Sequence, residues 1–378
     1  MIVQKTAILP RGFKAAAVSA GIKRSGKLDL ALFYSEKPCR AAGMFTTNKV
    51  TAAPVEVCRR HLKKGFGFNA IVANSGNANA FSGKLGMVDA VAMARSAASC
   101  LGVDPYSVFV ASTGIIGKRL PMKRIKAAMP GLCGRLSAKG ITAAKRAIMT
   151  TDKFAKEITV RVKIGGKTVT VCGVAKGAGM ISPTMATMFA FVFTDANIAG
   201  TALKSALRDS VEKSYNCITV DGCMSTNDTV IVLANGCAGN REIRGGGDLA
   251  LFRAALDAVN LELAQLMVKD GEGASKFITI RVSGARSRAD AKKACLAIAN
   301  SNLFKTAVYG ENPNFGRIAA AVGASGCAMD ETKLRIKLGP LRGKEVTADV
   351  RLGMGTGECT VYASDLTPEY IKINAAYN

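Results

Sequence analysis

The stretch Lys176-Gly177-Ala178-Gly179-Met180-Ile181-Ser182-Pro183-Thr184-Met185-Ala186-Thr187-Met188-Phe189-Ala190 joins two kinds of sequence. Two glycines and a proline make its first part a poor strand, yet it runs directly into an apolar segment, residues 187–193, that reads as a buried strand. Thr187 is therefore a hydroxyl at the mouth of an apolar strand, with a small residue before it and a lysine upstream. Most threonines so placed are β-branched strand residues and nothing more. A threonine can also be a nucleophile without an imidazole if the chain is cut before it. Its freed α-amine, with a reference pKa of about 7.7–8.0, then becomes the base.

That second reading gains weight because the 378 residues contain one histidine, His61. Most hydrolytic triads and most zinc sites need at least one imidazole, so any chemistry must use other groups. His61 lies in Arg59-Arg60-His61-Leu62-Lys63-Lys64, whose cations would depress its pKa, and it reads as a hydrated surface residue. The eleven cysteines are odd in number and form no CxxC pair, which reads as reduced thiols used as small apolar core residues in a cytoplasmic protein. Lys5, Arg11 and Lys14 interrupt the start of the chain as a signal peptide, and the longest apolar run, residues 185–193, is too short to span a membrane. Hydrophobic residues make up 49% of the chain, which excludes disorder, and 39 glycines with no tryptophan favour tight turns and aliphatic sheet packing over a base-stacking platform.

Charge is distributed unevenly. Residues 1–186 carry 30 Lys and Arg against 7 Asp and Glu, whereas residues 187–378 carry 22 against 20. The basic residues are dispersed and lack interleaved aromatics, so they read as a solvated face rather than a specific nucleic-acid site. The run Gly21-Ile22-Lys23-Arg24-Ser25-Gly26-Lys27-Leu28 almost spells a phosphate-binding loop but ends in leucine where a magnesium-holding hydroxyl is needed.

Periodicity predicts alternating elements: a strand at 70–73, a helix at 88–101, a strand at 107–111 and helices at 121–128 and 137–149. A hairpin follows, 158–162 and 168–171, turned by Gly165-Gly166. Beyond the strand at 187–193 come a helix at 201–215, a strand at 229–233, a long helix at 248–267 capped by Asp248, a strand at 277–282 and a helix from Ser287 to about Asn300. No Pro/Ser linker interrupts the pattern, which reads as a single compact mixed α/β body.

The segment around Thr187 resembles the self-cleavage site of the glutamate N-acetyltransferase family of arginine biosynthesis, also called ornithine acetyltransferases. The resemblance extends through Pro10-Arg11-Gly12-Phe13, Met44-Phe45-Thr46-Thr47-Asn48, Asn74-Ser75-Gly76-Asn77-Ala78-Asn79-Ala80 and Ser112-Thr113-Gly114-Ile115-Ile116-Gly117. It continues through Met149-Thr150-Thr151-Asp152, Ser225-Thr226-Asn227-Asp228, Asn314-Phe315-Gly316-Arg317-Ile318 and Ile373-Asn374-Ala375, so essentially the whole chain is covered. Phe81, Cys223, Asn312 and Phe315 depart from the family's residues and read as changes either in packing or in residues that support the site from behind. A hydroxyl residue that the family places near its C-terminus has no counterpart before Asn378.

The resemblance implies stacked sheets flanked by helices, built from an alpha chain, 1–186, and a beta chain, 187–378, assembled as a heterotetramer of two of each. It implies that Thr187 attacks the carbonyl of Ala186, that the resulting ester is hydrolysed, and that the beta chain then begins with the nucleophile. Thr113 and Gly114 match the family's oxyanion hole, and Thr150, Lys176, Glu272 and Asn374 match its substrate-binding positions. N-acetylornithine would acetylate Thr187 and glutamate would take the acetyl group, with no metal or organic cofactor needed and with acetyl-CoA as a further donor in family members of broader specificity. Two other readings remain. A related amino-terminal-nucleophile amidase or aminopeptidase would release acetate whether or not glutamate is added, and a basic RNA-binding protein would show binding that collapses steeply with salt.

Overall fold

The structure, a computed structural model, describes residues 1–65, 67–182 and 188–376. Ala186 and Thr187 lie outside the described residues, as does the expected start of the strand at 187. In chain order the strands are β1 (Ile2–Gln4), β2 (Phe13–Val18), β3 (Leu30–Phe45), β4 (Phe68–Asn77), β5 (Val108–Ile115), β6 (Lys156–Ile164) and β7 (Lys167–Lys176). They continue with β8 (Phe189–Thr194), β9 (Ile218–Thr219), β10 (Thr229–Ala234), β11 (Phe277–Ala285), β12 (Arg335–Leu338), β13 (Glu345–Arg351) and β14 (Gly357–Ser364). The helices are α1 (Ala53–Lys64), α2 (Gly83–Leu101), α3 (Met122–Gly134), α4 (Ile141–Ala147), α5 (Gly200–Lys213), α6 (Gly246–Lys269), α7 (Arg288–Ala299), α8 (Asn302–Tyr309), α9 (Phe315–Gly323) and α10 (Pro368–Ala375).

The fold is mixed α/β, and the chain divides into two compact units that interleave along the sequence. The first takes the described residues of 1–177, 188–215 and 224–263, and the second takes 178–182, 216–223 and 264–376. The last division falls inside α6, between Leu263 and Ala264. A boundary carried by a helix needs no Pro/Ser linker, which is why the sequence reads as one body.

The first unit is built on a sheet ordered β1-β6-β7-β8-β10-β3-β4-β5, with β2 also paired to β3. Strand β3 joins its two halves: residues 30–35 pair with β2, residues 40–45 pair with β10, and the register to β4 shifts between Tyr34 and Cys39. The halves stack through phenylalanines. Phe33 of β3 lies 5.4 Å from Phe191 and 5.2 Å from Phe193 of β8, and Phe13 of β2 lies 5.3 Å from Phe193. Every residue of β8 and β10 is buried, as two-faced burial of near-continuous apolar runs requires. The β6–β7 hairpin turns at Gly165 and Gly166 with φ +54° and +75°, the two positive values that a tight hairpin of matching twist demands.

The second unit carries a five-stranded sheet, β12-β13-β11-β14-β9. Its core gathers Ile278, Ile280 and Val282 of β11 with Ala291, Ala294, Cys295 and Ile298 of α7. Ser287 caps α7 by accepting the Asp290 N–H, as expected, whereas Asp248 lies in the first turn of α6 rather than ahead of it.

Several surface expectations change. His61 is buried, with Nδ1 2.8 Å from the Val108 carbonyl and its ring edge-on to Tyr106, so α1 turns it inward despite the charges beside it in sequence. Its pKa is lowered, mainly by burial, with Lys64 a minor contributor. Phe81, Cys223, Asn312 and Phe315 are all exposed, so of the two readings of these departures the change in core packing does not apply. All eleven cysteines are free, and Cys39, Cys58, Cys172, Cys217, Cys295 and Cys359 are buried, whereas Cys100 and Cys223 are exposed. Among the described residues, no helix is long and apolar enough to cross a membrane.

Candidate active site

The parallel pair β4 and β5 carries the first group of candidate residues. Their register sets Ser75 opposite Thr113 and Gly76 opposite Gly114. Gly114 has φ +130°, and a Cβ there would stand 2.4 Å from the Gly76 carbonyl carbon and 2.5 Å from the Asn77 nitrogen. Glycine is thus obligatory on steric grounds alone, before any role in binding an anion. A larger residue at 114 would disrupt the strand pair itself, so it cannot serve as a selective probe of chemistry. Side chains brace this end of the strands: Ser112 Oγ donates to Asn74 Oδ1 at 2.6 Å, and Ser75 Oγ donates to the Ala147 carbonyl at 2.5 Å.

Lys176, the last residue of β7, is 1% exposed and donates from Nζ to Thr113 Oγ1 at 3.1 Å. A hydroxyl that accepts from an ammonium is polarised and keeps its own proton to donate elsewhere, which is what stabilising a developing oxyanion requires. Asp152 supports this lysine. Its Oδ1 accepts the Gly177 N–H at 2.7 Å and the Lys156 ammonium at 2.5 Å, while Oδ2 accepts the Thr150 N–H at 2.9 Å. The Asp152 and Lys156 side chains are both fully buried. Burial alone would raise the Asp152 pKa, but the charges of Lys156 and Lys176 and the bonds from Lys156 and Gly177 overcome it and hold the group at about 2.

Thr150, half-buried, is thereby tied through its backbone to the same carboxylate that holds Gly177. The structure thus brings Thr113, Gly114, Thr150 and Lys176 into one cluster of the first unit. Asp152 lay inside a motif read from the sequence, but its part as the buried anion of this cluster was not anticipated. The available signal was an acidic residue four before Lys156 in a half of the chain where acidic residues are scarce.

The near-match to a phosphate loop has a different explanation. Amides of Ala20, Ile22 and Lys23 all donate to the fully buried Asp29 carboxylate, at 2.6, 2.6 and 3.0 Å. The protein's own anion occupies the place a phosphate would take. Lys23 Nζ meanwhile donates to the Leu28 and Met149 carbonyls.

The second unit holds Glu272 and Asn374. Glu272 is 9% exposed, and its Oε2 accepts from Asn374 Nδ2 at 3.0 Å. Its own N–H donates to the Ala178 carbonyl at 2.8 Å, and a Cβ on Gly179 would come within 2.3 Å of its carboxylate, so Gly179 makes room for Glu272. Asn374 sits exposed on α10, and α10 is tied to the Glu272 loop by Thr367, whose hydroxyl donates to the Gly273 carbonyl at 2.7 Å. Asp221 fixes the segment that leads toward the expected cut, accepting the Met180 and Ile181 N–H groups at 2.6 and 2.9 Å. Among the described residues, no group of three or more His, Cys, Asp and Glu side chains is arranged to hold a metal.

The fold and these groups define an enzyme of the mixed α/β class. Residues 14–378 match the model of the ArgJ family, and the chain belongs to that family. It is 47% identical to the arginine biosynthesis bifunctional protein ArgJ of Symbiobacterium thermophilum, over 97% of each chain. It is 46% identical to the protein of the same name from Geobacter sulfurreducens, over 97% of this chain and 99% of that one. Among solved structures, the Bacillus halodurans protein of that name is 37% identical, covering 50% of this chain and 98% of that one with a TM-score of 0.48. Ornithine acetyltransferase from Mycobacterium tuberculosis, solved with ornithine, is 39% identical, covering 48% of this chain and 98% of that one with a TM-score of 0.45.

The Asp152 cluster predicts a defined acid limb of stability. The folded pKa of about 2 lies below the unfolded value near 3.9, so this carboxylate's contribution is complete above about pH 4 and is lost as pH falls through 2. Asp152→Asn should lower unfolding free energy at pH 7 by about 3–5 kcal/mol, because Lys156 stays buried without its counter-charge. Urea titrations of both proteins between pH 2 and pH 7 check this. A loss at pH 7 within about 0.5 kcal/mol, the scale of a surface change, would mean that the carboxylate does not anchor the cluster.

Proposed function

We propose that this chain is a glutamate N-acetyltransferase of arginine biosynthesis, moving an acetyl group from N-acetylornithine to glutamate through an acetyl-threonine intermediate. The observation that carries the reading is the buried Lys176 ammonium bonded to Thr113 Oγ1 beside the glycine at 114. A hydroxyl donor and a backbone amide of that kind suit the tetrahedral anion of acyl transfer, and they call for neither imidazole nor metal. Membership of the ArgJ family supports the substrate pair.

The roles follow from chemistry. Thr187 attacks the Ala186 carbonyl, the chain separates into 1–186 and 187–378, and the new α-amine of Thr187 serves as its base. N-acetylornithine then acetylates the Thr187 hydroxyl and ornithine departs; glutamate accepts the acetyl group. Lys176 suits the α-carboxylate shared by ornithine and glutamate, and Glu272 suits the side-chain ammonium of N-acetylornithine, with Asn374 holding the Glu272 carboxylate in place. Thr150 contributes to substrate binding beside Lys176. The enzyme works in the cytoplasm as two copies of each fragment, and acetyl-CoA is a second donor.

Purified protein should separate under denaturing conditions into fragments 1–186 and 187–378, and Thr187→Ala should stay whole and inactive. Intact-mass spectrometry reads both, and a wild-type chain that is whole yet fully active would contradict the mechanism. Glu272→Gln should cost about 2–4 kcal/mol of transition-state stabilisation with N-acetylornithine and much less with acetyl-CoA, which offers no ornithine ammonium. Steady-state kinetics with the two donors measures the difference. Equal losses would make Glu272 a support of the loop rather than a reader of the amine.

A further inference from the structure

The loop that resembles a phosphate site without being one brings its lysine to the Asp152 cluster. Lys23 is half-buried, and its ammonium donates to the Leu28 carbonyl at 3.1 Å and to the Met149 carbonyl at 2.8 Å. The second contact ties it to the cluster directly. Met149 and Thr150 share one peptide group, whose carbonyl accepts from Lys23 and whose N–H donates to Asp152. The Lys23 stem also crosses the end of β4 that carries candidate residues. A Cβ on Gly76, which stands opposite Gly114, would come within 3.0 Å of Lys23 Cγ and 3.3 Å of Ile22 Cγ2.

This cation has no counter-charge of its own. Asp29 is spent on the Ala20, Ile22 and Lys23 amides, and Asp152 on the Lys156 ammonium and the Thr150 and Gly177 amides. Lys23 forms no ion pair among the described residues, and the two carbonyls engage two of the three N–H bonds of its ammonium. Burial lowers its pKa against the raising fields of Asp29 and Asp152, and the charges of Lys176 and Lys27 lower it further. Lys23, Asp152 and Lys176 thus act on one another. A half-buried ammonium with a spare N–H suits an anionic group that arrives with a ligand.

In the acetyl transfer proposed above, Lys176 serves the α-carboxylate that ornithine and glutamate share, and Glu272 serves an ammonium that glutamate lacks. The side-chain carboxylate of glutamate then has no partner. Glutamate attacks through a neutral amine, so it brings two negative charges, whereas N-acetylornithine brings one charge of each sign. Resting on that acetyl-transfer reading, we infer that Lys23 determines acceptor choice by binding the side-chain carboxylate of glutamate while Lys176 holds the α-carboxylate. Glutamine, which has the same shape and no side-chain charge, would leave the Lys23 ammonium unpaired, and that difference is what selects between the two.

Lys23→Met tests this when the two half-reactions are measured apart. Protein mixed with N-acetylornithine alone reports acetylation of fragment 187–378 by mass spectrometry. The acetylated protein, freed of donor, is then chased with glutamate or with glutamine. The variant should be acetylated within about threefold of the wild-type rate, because N-acetylornithine has no second carboxylate. Its half-saturating glutamate concentration should rise about 10- to 100-fold, the scale of one lost hydrogen bond between charged groups, while that for glutamine stays near the wild-type value. An unchanged preference for glutamate over glutamine would overturn the inference. So would an equal loss in both half-reactions, which would make Lys23 a support of the Met149–Thr150 peptide. Lys23→Gln keeps an N–H donor for the Met149 carbonyl without the charge, and it should show the same acceptor defect even if methionine unsettles the loop. Wild-type preference in that variant, or loss of the fold in both, would overturn the inference equally. Failure of the acetyl-transfer reading is distinct, since wild-type protein would then take no acetyl group from N-acetylornithine or pass none to glutamate.

Discussion

One carboxylate with no access to water, that of Asp152, organises the candidate chemistry of the first unit. It binds the Thr150 and Gly177 amides and the Lys156 ammonium, and it lies in the field of Lys176, which in turn bonds the Thr113 hydroxyl. A buried lysine needs a counter-charge or it loses its proton. Asp152 supplies that charge while its remaining capacity fixes two backbone positions, so the functional side chains gain a defined geometry from one electrostatic requirement. The excess of positive charge in residues 1–186 therefore has an interior component as well as a solvated face.

Local patterns carried most of the elements. Gly165-Gly166 marked the hairpin now seen as β6 and β7, and Ser287 marked the start of α7. The buried runs of β8 and β10 were plain from their aliphatic and aromatic content. The division into two units was not legible, because the chain crosses from one to the other within helix α6 and composition does not change there. The inward turn of His61 was hidden for a related reason. On a helix, neighbours in sequence point to different faces, so Arg60 and Lys63 say little about where the ring between them goes.

The candidate site was legible as a set of motifs, yet the groups that hold it together were not. Thr113, Gly114 and Lys176 were named by resemblance, but only coordinates relate Lys176 to Thr113 across 63 positions of sequence. Asp152 belongs to one of the same motifs and acts through burial, which sequence spacing does not report. The glycines divide similarly. In the sequence Gly179 only marked a poor strand, whereas its lack of a side chain leaves room for the Glu272 carboxylate.

The account depends on a covalent acetyl-enzyme at Thr187, and mass spectrometry of the protein mixed with N-acetylornithine in the absence of glutamate tests that claim most directly. Fragment 187–378 should gain one acetyl group, located at its first residue, and should lose it when glutamate is added, with N-acetylglutamate appearing in equal amount. Steady formation of N-acetylglutamate with no acetylated fragment at any time after mixing would contradict it, since the acetyl group would then pass between substrates without the threonine.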